Sequence, residues 1–187
     1  MPPPKRRKIA VLGARSVGKS SLVRQFIEKQ FIDSYYPTIE RAYVKSINYR
    51  GNEEYILEIF DTAGQDEFSP LNAQYAIGIH GYVLAYSIAS RNSFEMVQIL
   101  RDKIIDYCGV TDIPCVIVGA KSDLESSRQV QISELEKVAE ANNAAYIESS
   151  AKDDINVTRV FHLCVQEIER RLEGNQGVPP VNRCLIQ

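Results

Sequence analysis

No stretch of this chain is apolar for the length of a membrane span, and its start, Met-Pro-Pro-Pro-Lys-Arg-Arg-Lys, lacks the apolar centre of a secretory signal. An excess of either charge is also missing. A formal net charge of −2 with 25% charged residues gives no overall pull toward nucleic acid or an anionic membrane. The four cysteines contain no C-x-x-C pair, which argues against a zinc framework or a disulfide scaffold. Cys108, Cys115 and Cys164 sit within apolar patterns and read as free thiols in or near a core, consistent with the reducing cytosol. The two histidines, His80 and His162, have no nucleophile or carboxylate at a catalytic spacing and are assigned no chemistry. Internal repeats are absent. The basic cluster Lys5, Arg6, Arg7, Lys8 reads as a solvated lead-in to the first strand, with contact to an acidic surface as its other use.

What is present is an alternation of strand-like and helix-like segments over 187 residues, enough for one domain with a large core and a tail. Strands are expected at 8–12, 42–48, 54–61, 81–87, 115–119 and 145–148, and helices at 21–28, 93–107, 133–142 and 156–173. Tyr49-Arg-Gly-Asn52 reads as a hairpin turn. In the last helix Val157, Val160, Phe161, Cys164, Ile168 and Leu172 recur on one face and predict a core stripe. The α/β pattern predicts six strands, mainly parallel, one antiparallel through the hairpin, with about five helices, and the motif G-x-x-x-x-G-K-[ST] at Gly13–Ser20 after the first strand makes the expected fold that of a P-loop NTPase. Residues 1–173 are expected to form the domain. Residues 174–187, polar and rich in Gly and Pro, form a flexible tail.

Gly13-Ala-Arg15-Ser16-Val17-Gly18-Lys19-Ser20 fits G-x-x-x-x-G-K-[ST] and follows the first strand. Gly13 and Gly18 let the backbone curl, so that N–H groups from Arg15 to Ser21 point inward as an anion nest. Lys19 supplies charge for the terminal phosphates, and Ser20 a hydroxyl for Mg²⁺. The next helix would turn its positive end to the same phosphates.

Kinases, ATPases and GTPases share such a loop, and a second motif narrows the choice. The strand ending at Asp61 runs into Thr62-Ala-Gly64-Gln65. Asp61 can hold Mg²⁺ through water, Gly64 offers a backbone N–H to a terminal phosphate, and Gln65 can orient an attacking water. Thr38 in the polar stretch from Asp33 to Glu40 can complete the Mg²⁺ shell while a γ-phosphate is present. Tyr35 either closes over the phosphates or covers the loop. Asp123, after a buried strand, can accept from the ring N–H and amine of guanine; adenine would leave it unpaired, at roughly 1–3 kcal/mol. The same carboxylate can instead cap a helix. The stem of Lys121 and the ring of Phe31 can flank the base, and Ser150-Ala151-Lys152 can offer N–H groups to its carbonyl.

With these motifs in order, the chain resembles the Ras superfamily of small GTPases over roughly residues 6–173, and within it the Rheb group. GARSVGKSSL, FIDSYYPTIE, DTAGQDEFS, NAAYIESSAK and the terminal Cys184-Leu-Ile-Gln187 carry the likeness. It implies a monomeric GTP/GDP switch that signals growth and nutrient status to the TOR kinase complex, with a tuberin-type GTPase-activating protein turning it off. Two residues depart from the pattern. Ala120 stands where N-K-x-D has Asn, so it is excluded as a base contact and faster exchange is expected. Tyr36 replaces an Asp. Arg15 stands where most Ras proteins have glycine; it would leave the nest where an activator's arginine finger enters.

Cys184 fits C-a-a-X, and a terminal Gln favours farnesyl, implying farnesyltransferase as a partner. One lipid without a basic run gives weak, reversible attachment, so a cytoplasmic protein peripheral to endomembranes is expected. Two other readings compete with the switch. One is a lipid-anchored binding module whose nucleotide site is loose or permanently loaded. The other is a small-molecule kinase, which lacks an acceptor site and an arginine-rich lid.

Overall fold

The apolar run ending at Leu12 becomes the central strand of a sheet because both its faces are covered. In this computed structural model, which describes residues 3–34, 36–51 and 53–174, strand β1 spans Lys5–Gly13 and is fully buried from Ile9 onward. Ile9 and Val11 face one apolar cluster, Ala10 and Leu12 the other. The period of two thus places alternate side chains in two cores.

The other strands are β2 (Arg41–Tyr49), β3 (Glu53–Asp61), β4 (Gly81–Ser87), β5 (Cys115–Ala120) and β6 (Ala145–Ser149). They lie in the order β2-β3-β1-β4-β5-β6, and only β2 is antiparallel to its neighbour. The turn between β2 and β3 is made by Arg50 and Gly51, both at positive φ (50° and 85°). Four helices pack on the sheet: α1 (Lys19–Glu28), α2 (Arg91–Cys108), α3 (Ile132–Ala141) and α4 (Val157–Gly174). Two 3₁₀ turns, Ala73–Tyr75 and Glu125–Ser127, complete the described helical segments. One core lies under α1 and α4, where Phe26 and Phe161 stack with ring centroids 4.1 Å apart. The other lies under α2 and α3.

Helix α2 begins two residues before its expected start because the Ser90 hydroxyl accepts from the Ser93 N–H at 3.3 Å. The α4 stripe is buried from Val157 to Ile168, but Leu172 is 50% exposed. Cys115 and Cys164 are buried, whereas Cys108 at the end of α2 is exposed. The basic cluster is solvated at Lys5, Arg6 and Lys8, as expected, but it lies within β1 rather than ahead of it, with Arg7 half-buried. Lys5 donates to Glu53 at 2.8 Å and Arg7 to Glu169 on α4 at 2.7 Å, and the Arg7 pair is almost withdrawn from water. The tail from residue 175, with Cys184, lies outside the described residues.

Candidate functional site

Crossing from β3 over β1 to β4 reverses the direction in which strands are added, and ligands of open α/β sheets bind at such a reversal, beyond the strands' carboxyl ends. The sequence-predicted residues gather there. Ser16 and Gly18 both take positive φ (60° and 103°) on the way into α1. This alternation of backbone hand makes an anion nest. Gly13 is needed for a different reason than curling: a Cβ on it would lie 2.2 Å from the Ala85 carbonyl oxygen. The loop is pressed against β4.

Lys19 is buried, with its ammonium donating to the carbonyls of Gly13 at 3.1 Å and Ala14 at 2.8 Å. Burial pushes its pKa down to about 8, against the opposing pull of the Asp61 carboxylate. A cation held this way, out of water, gains from an arriving phosphate.

Three oxygens from three elements meet beside it. The Ser20 hydroxyl lies 2.8 Å from the Thr38 hydroxyl and donates to Asp61 Oδ1 at 3.0 Å. Asp61 is 4% exposed, and burial raises its pKa despite the Ser20 bond and the Lys19 charge. A desolvated carboxylate with two hydroxyls is a hard-oxygen donor set that fits Mg²⁺. Thr62, which the sequence reading passed over, anchors this corner: its side chain is buried and donates to the Val11 carbonyl at 2.8 Å. Threonine following a strand-end aspartate was the available signal.

Gly64 and Gln65 lie over the phosphate loop. The Gln65 N–H donates to the Gly13 carbonyl at 3.0 Å, and its amide turns back to the Ala63 carbonyl at 3.2 Å. A Cβ on Gly64 would sit 2.5 Å from Arg15 Cα, so the room that glycine leaves is filled by Arg15. Glu40 bridges the two flanking loops, accepting from the Ala63 N–H and the Gln74 amide, each at 3.3 Å. The sequence offered no sign of that.

Toward the base, Lys121 has positive φ (61°) and its ammonium donates to the Ser16 carbonyl at 2.7 Å, tying this loop to the phosphate loop. Asp123 caps no helix; its carboxylate accepts from the Ser150 hydroxyl at 2.6 Å. Ala120 is buried at the end of β5, in register with Ser149, whose hydroxyl is buried with no partner among the described residues. Ala151 is half-buried and Lys152 exposed beside Ser150. Phe31 is half-buried and Asp33 exposed, on the segment between α1 and β2. Tyr35 lies outside the described residues.

A phosphate nest, a strand-end carboxylate and a lysine-tied base loop at one sheet edge define a P-loop nucleoside triphosphatase. Residues 8–170 match the model of the Ras family. The chain is 53% identical over 171 residues to GTP-binding protein rhb1 of Schizosaccharomyces pombe, covering 91% of this chain and 92% of that one. It is 48% identical over 170 residues to human GTP-binding protein Rheb, with 91% and 92% covered. Over 188 residues, and the whole of both chains, it is 46% identical to the GTP-binding protein Rheb homolog of Dictyostelium discoideum. The chain belongs to the Ras family and, within it, to the Rheb group. It is a small GTPase that binds GTP and GDP and hydrolyses GTP.

Proposed function

We propose that this GTPase is a Mg²⁺-dependent switch whose GTP form signals to the TOR kinase complex in growth and nutrient control. The likeness to proteins named Rheb supports the choice of pathway. The observation that carries the switch is the meeting of Ser20, Thr38 and Asp61. Ser20 and Thr38 would hold the metal directly and Asp61 through water; the ion supplies charge neutralisation at the β- and γ-phosphates. Thr38 belongs to a segment with few buried residues, so what it binds decides whether that segment is ordered.

The nest from Arg15 to Ser21 binds the phosphates, Lys19 stabilises charge on the γ-phosphoryl group, and Gln65 must swing off Ala63 to orient water. Asp123, preset by Ser150, reads guanine between Lys121 and Phe31, while the N–H groups of Ser150–Lys152 meet its carbonyl. Asp33 and Tyr35 complete the proposed nucleotide-binding set. Arg15, exposed beside Gly64, favours an activator of the tuberin type that inserts an uncharged group, because a guanidinium would meet like charge.

Residues 1–173 perform this chemistry. The tail carries a farnesyl group on Cys184, added by farnesyltransferase, and holds the monomer on endomembranes. Among the described residues no helix is long and apolar enough to cross a membrane. The test is to identify the nucleotide in freshly purified protein and to compare Ser20→Asn with wild type. Ser20→Asn should weaken GTP more than GDP, since Ser20 acts beside the γ-phosphate. Equal loss of both removes the metal role. Cys184→Ser should release the protein to the cytosol with nucleotide binding intact, and membrane retention of that variant would overturn the anchor.

The orphaned Ser149 hydroxyl beside Ala120 favours a second reading, a loosely held nucleotide that exchanges without regulation by hydrolysis. GDP release faster than hydrolysis in the isolated protein distinguishes it.

A further inference from the structure

Arg128 closes the 3₁₀ turn that follows Asp123, and nothing in the chemistry above uses it. Each of its N–H groups has an acceptor. Nε donates to the Glu125 carboxylate at 2.9 Å, and Nη2 to the same carboxylate at 2.6 Å. Nη1 donates to the Val130 carbonyl at 2.9 Å. The two remaining donors form a fork on Glu148, with Nη1 to Oε1 at 2.6 Å and Nη2 to Oε2 at 2.9 Å. A guanidinium used to its full capacity in this way is held in one place.

The fork joins the two loops assigned to the base. Glu148 lies on β6, just ahead of Ser149 and Ser150, and its backbone carbonyl accepts from the Asn156 amide at 2.9 Å. A Cβ on Gly119 would lie 3.1 Å from Glu148 Cγ, so the glutamate stem rests against β5. On the other side of the fork, turns shorten the path from Arg128 back to Asp123. Arg128 N–H donates to the Glu125 carbonyl at 3.2 Å, Ser127 N–H to Leu124 at 2.9 Å, and Leu124 N–H to Lys121 at 2.9 Å. The Asp123 loop therefore has both ends fixed: Lys121 to the phosphate loop, Arg128 to β6. Arg128 and Glu148 are only 11% and 15% exposed, so water screens their pair little, whereas Glu125 is 69% exposed.

We propose that Arg128 is a positioning residue for guanine: by gripping Glu148 it holds the Asp123 loop against β6 and sets how long the nucleotide stays bound. This rests on the reading of Asp123 as the acceptor for guanine. Without the fork, the Ser150 hydroxyl and the Ser122 N–H, bonded to the Ser149 carbonyl, are left to join the two loops. The loop then moves off β6, and the Asp123 oxygens lose their alignment with the two donors of the base.

The test uses the full-length chain loaded with radiolabelled GDP or IDP, the latter lacking the exocyclic amine that Asp123 would accept from. Five forms are compared: wild type, Arg128→Met, Arg128→Met with Glu148→Met, Glu125→Gln and Asp123→Ala. Wild type should release IDP roughly tenfold faster than GDP. Arg128→Met should release GDP roughly tenfold faster than wild type, with the IDP-to-GDP ratio falling to about threefold. The double variant should regain the urea stability that Arg128→Met loses to a stranded carboxylate, yet keep the fast release and the reduced ratio. Glu125→Gln should stay within about twofold of wild type, because that contact is exposed and lies within one loop. Fast release in Arg128→Met with an unchanged ratio overturns the proposal, since a loosened fold speeds both nucleotides alike. Slow release restored in the double variant overturns it too, because the stranded charge is then the cause. Glu125→Gln as fast as Arg128→Met also overturns it, placing the effect inside the loop. Wild-type release by Arg128→Met beside fast release by Asp123→Ala ends the positioning role and leaves the Asp123 reading standing. Wild-type release of GDP by Asp123→Ala removes that reading, and with it the route proposed for Arg128.

Discussion

Ala120 leaves a hydroxyl without a partner. Parallel pairing sets its Cβ beside that of Ser149, and the Ser149 Oγ is buried with no hydrogen bond among the described residues. An unsatisfied buried hydroxyl costs about 1–3 kcal/mol, and the amide that N-K-x-D supplies could satisfy it while reaching toward the phosphate loop. Ala120→Asn is therefore expected to slow GDP release about fivefold, the equivalent of one net hydrogen bond near 1 kcal/mol. Release timed with a fluorescent GDP measures this; unchanged or faster release would mean the tie from Lys121 to Ser16 already suffices. At this scale the sequence was most legible where chemistry demands a residue type: Lys19, Ser20 and Asp61 stand together as the motif spacing implied. It was least legible for Gly13 and Gly64. Those glycines answer to Ala85 and Arg15, neighbours that only folding brings near.

Among the elements, β1 and α4 are joined by more than apolar contact. The Arg7 guanidinium meets the Glu169 carboxylate at 2.7 Å, with side-chain exposures of 16% and 7%, and lies over the Tyr55 ring. Both charges were desolvated on folding, so the pair adds little net stability, yet removing one partner strands the other in a dry site. Arg7→Met is expected to cost roughly 3 kcal/mol in urea unfolding, and Arg7→Met with Glu169→Leu to recover most of it. Equal loss in the single and double variants would mean that the arginine stem's packing, not the charge, is what matters. The strands and helices themselves were legible because burial on two faces writes continuous apolar runs and burial on one writes a stripe. The basic cluster misled only in its place and at Arg7, since Lys5, Arg6 and Lys8 are exposed as expected. Four cations in a row resemble a solvated arm, and nothing local announces that Glu53 and Glu169, distant in sequence, wait beside the strand.

For the whole molecule, the two histidines that carry no catalytic role contribute to acid stability. His80 Nδ1 accepts from the Lys8 N–H at 2.8 Å, so the folded protein holds that imidazole neutral. Desolvation, with the Arg7 and Lys8 charges, lowers its pKa below the ordinary 6.5, and desolvation lowers that of His162 on α4 likewise. On acidification the unfolded chain therefore takes up both protons first. Stability follows the proton difference: the histidine contribution is complete above pH about 6.5 and is lost as pH falls through the two folded values. Other groups titrate nearby. Asp61, raised by burial, acts in the opposite sense, and carboxylates held down by partners, such as Asp66 and Asp112, contribute losses at lower pH. A single pH profile would mix these, so the measurement is a difference between two proteins. Urea midpoints at fixed saturating GDP should be taken from pH 8 to pH 5 for wild type and for His80→Asn with His162→Gln. The nucleotide site and the carboxylates are common to both and cancel. Wild type should lose stability relative to the double variant as pH drops below about 6.5, with no divergence above it. Curves that stay parallel throughout would show that the imidazoles titrate alike in both states, and that giving up the Lys8 bond costs the folded protein nothing measurable.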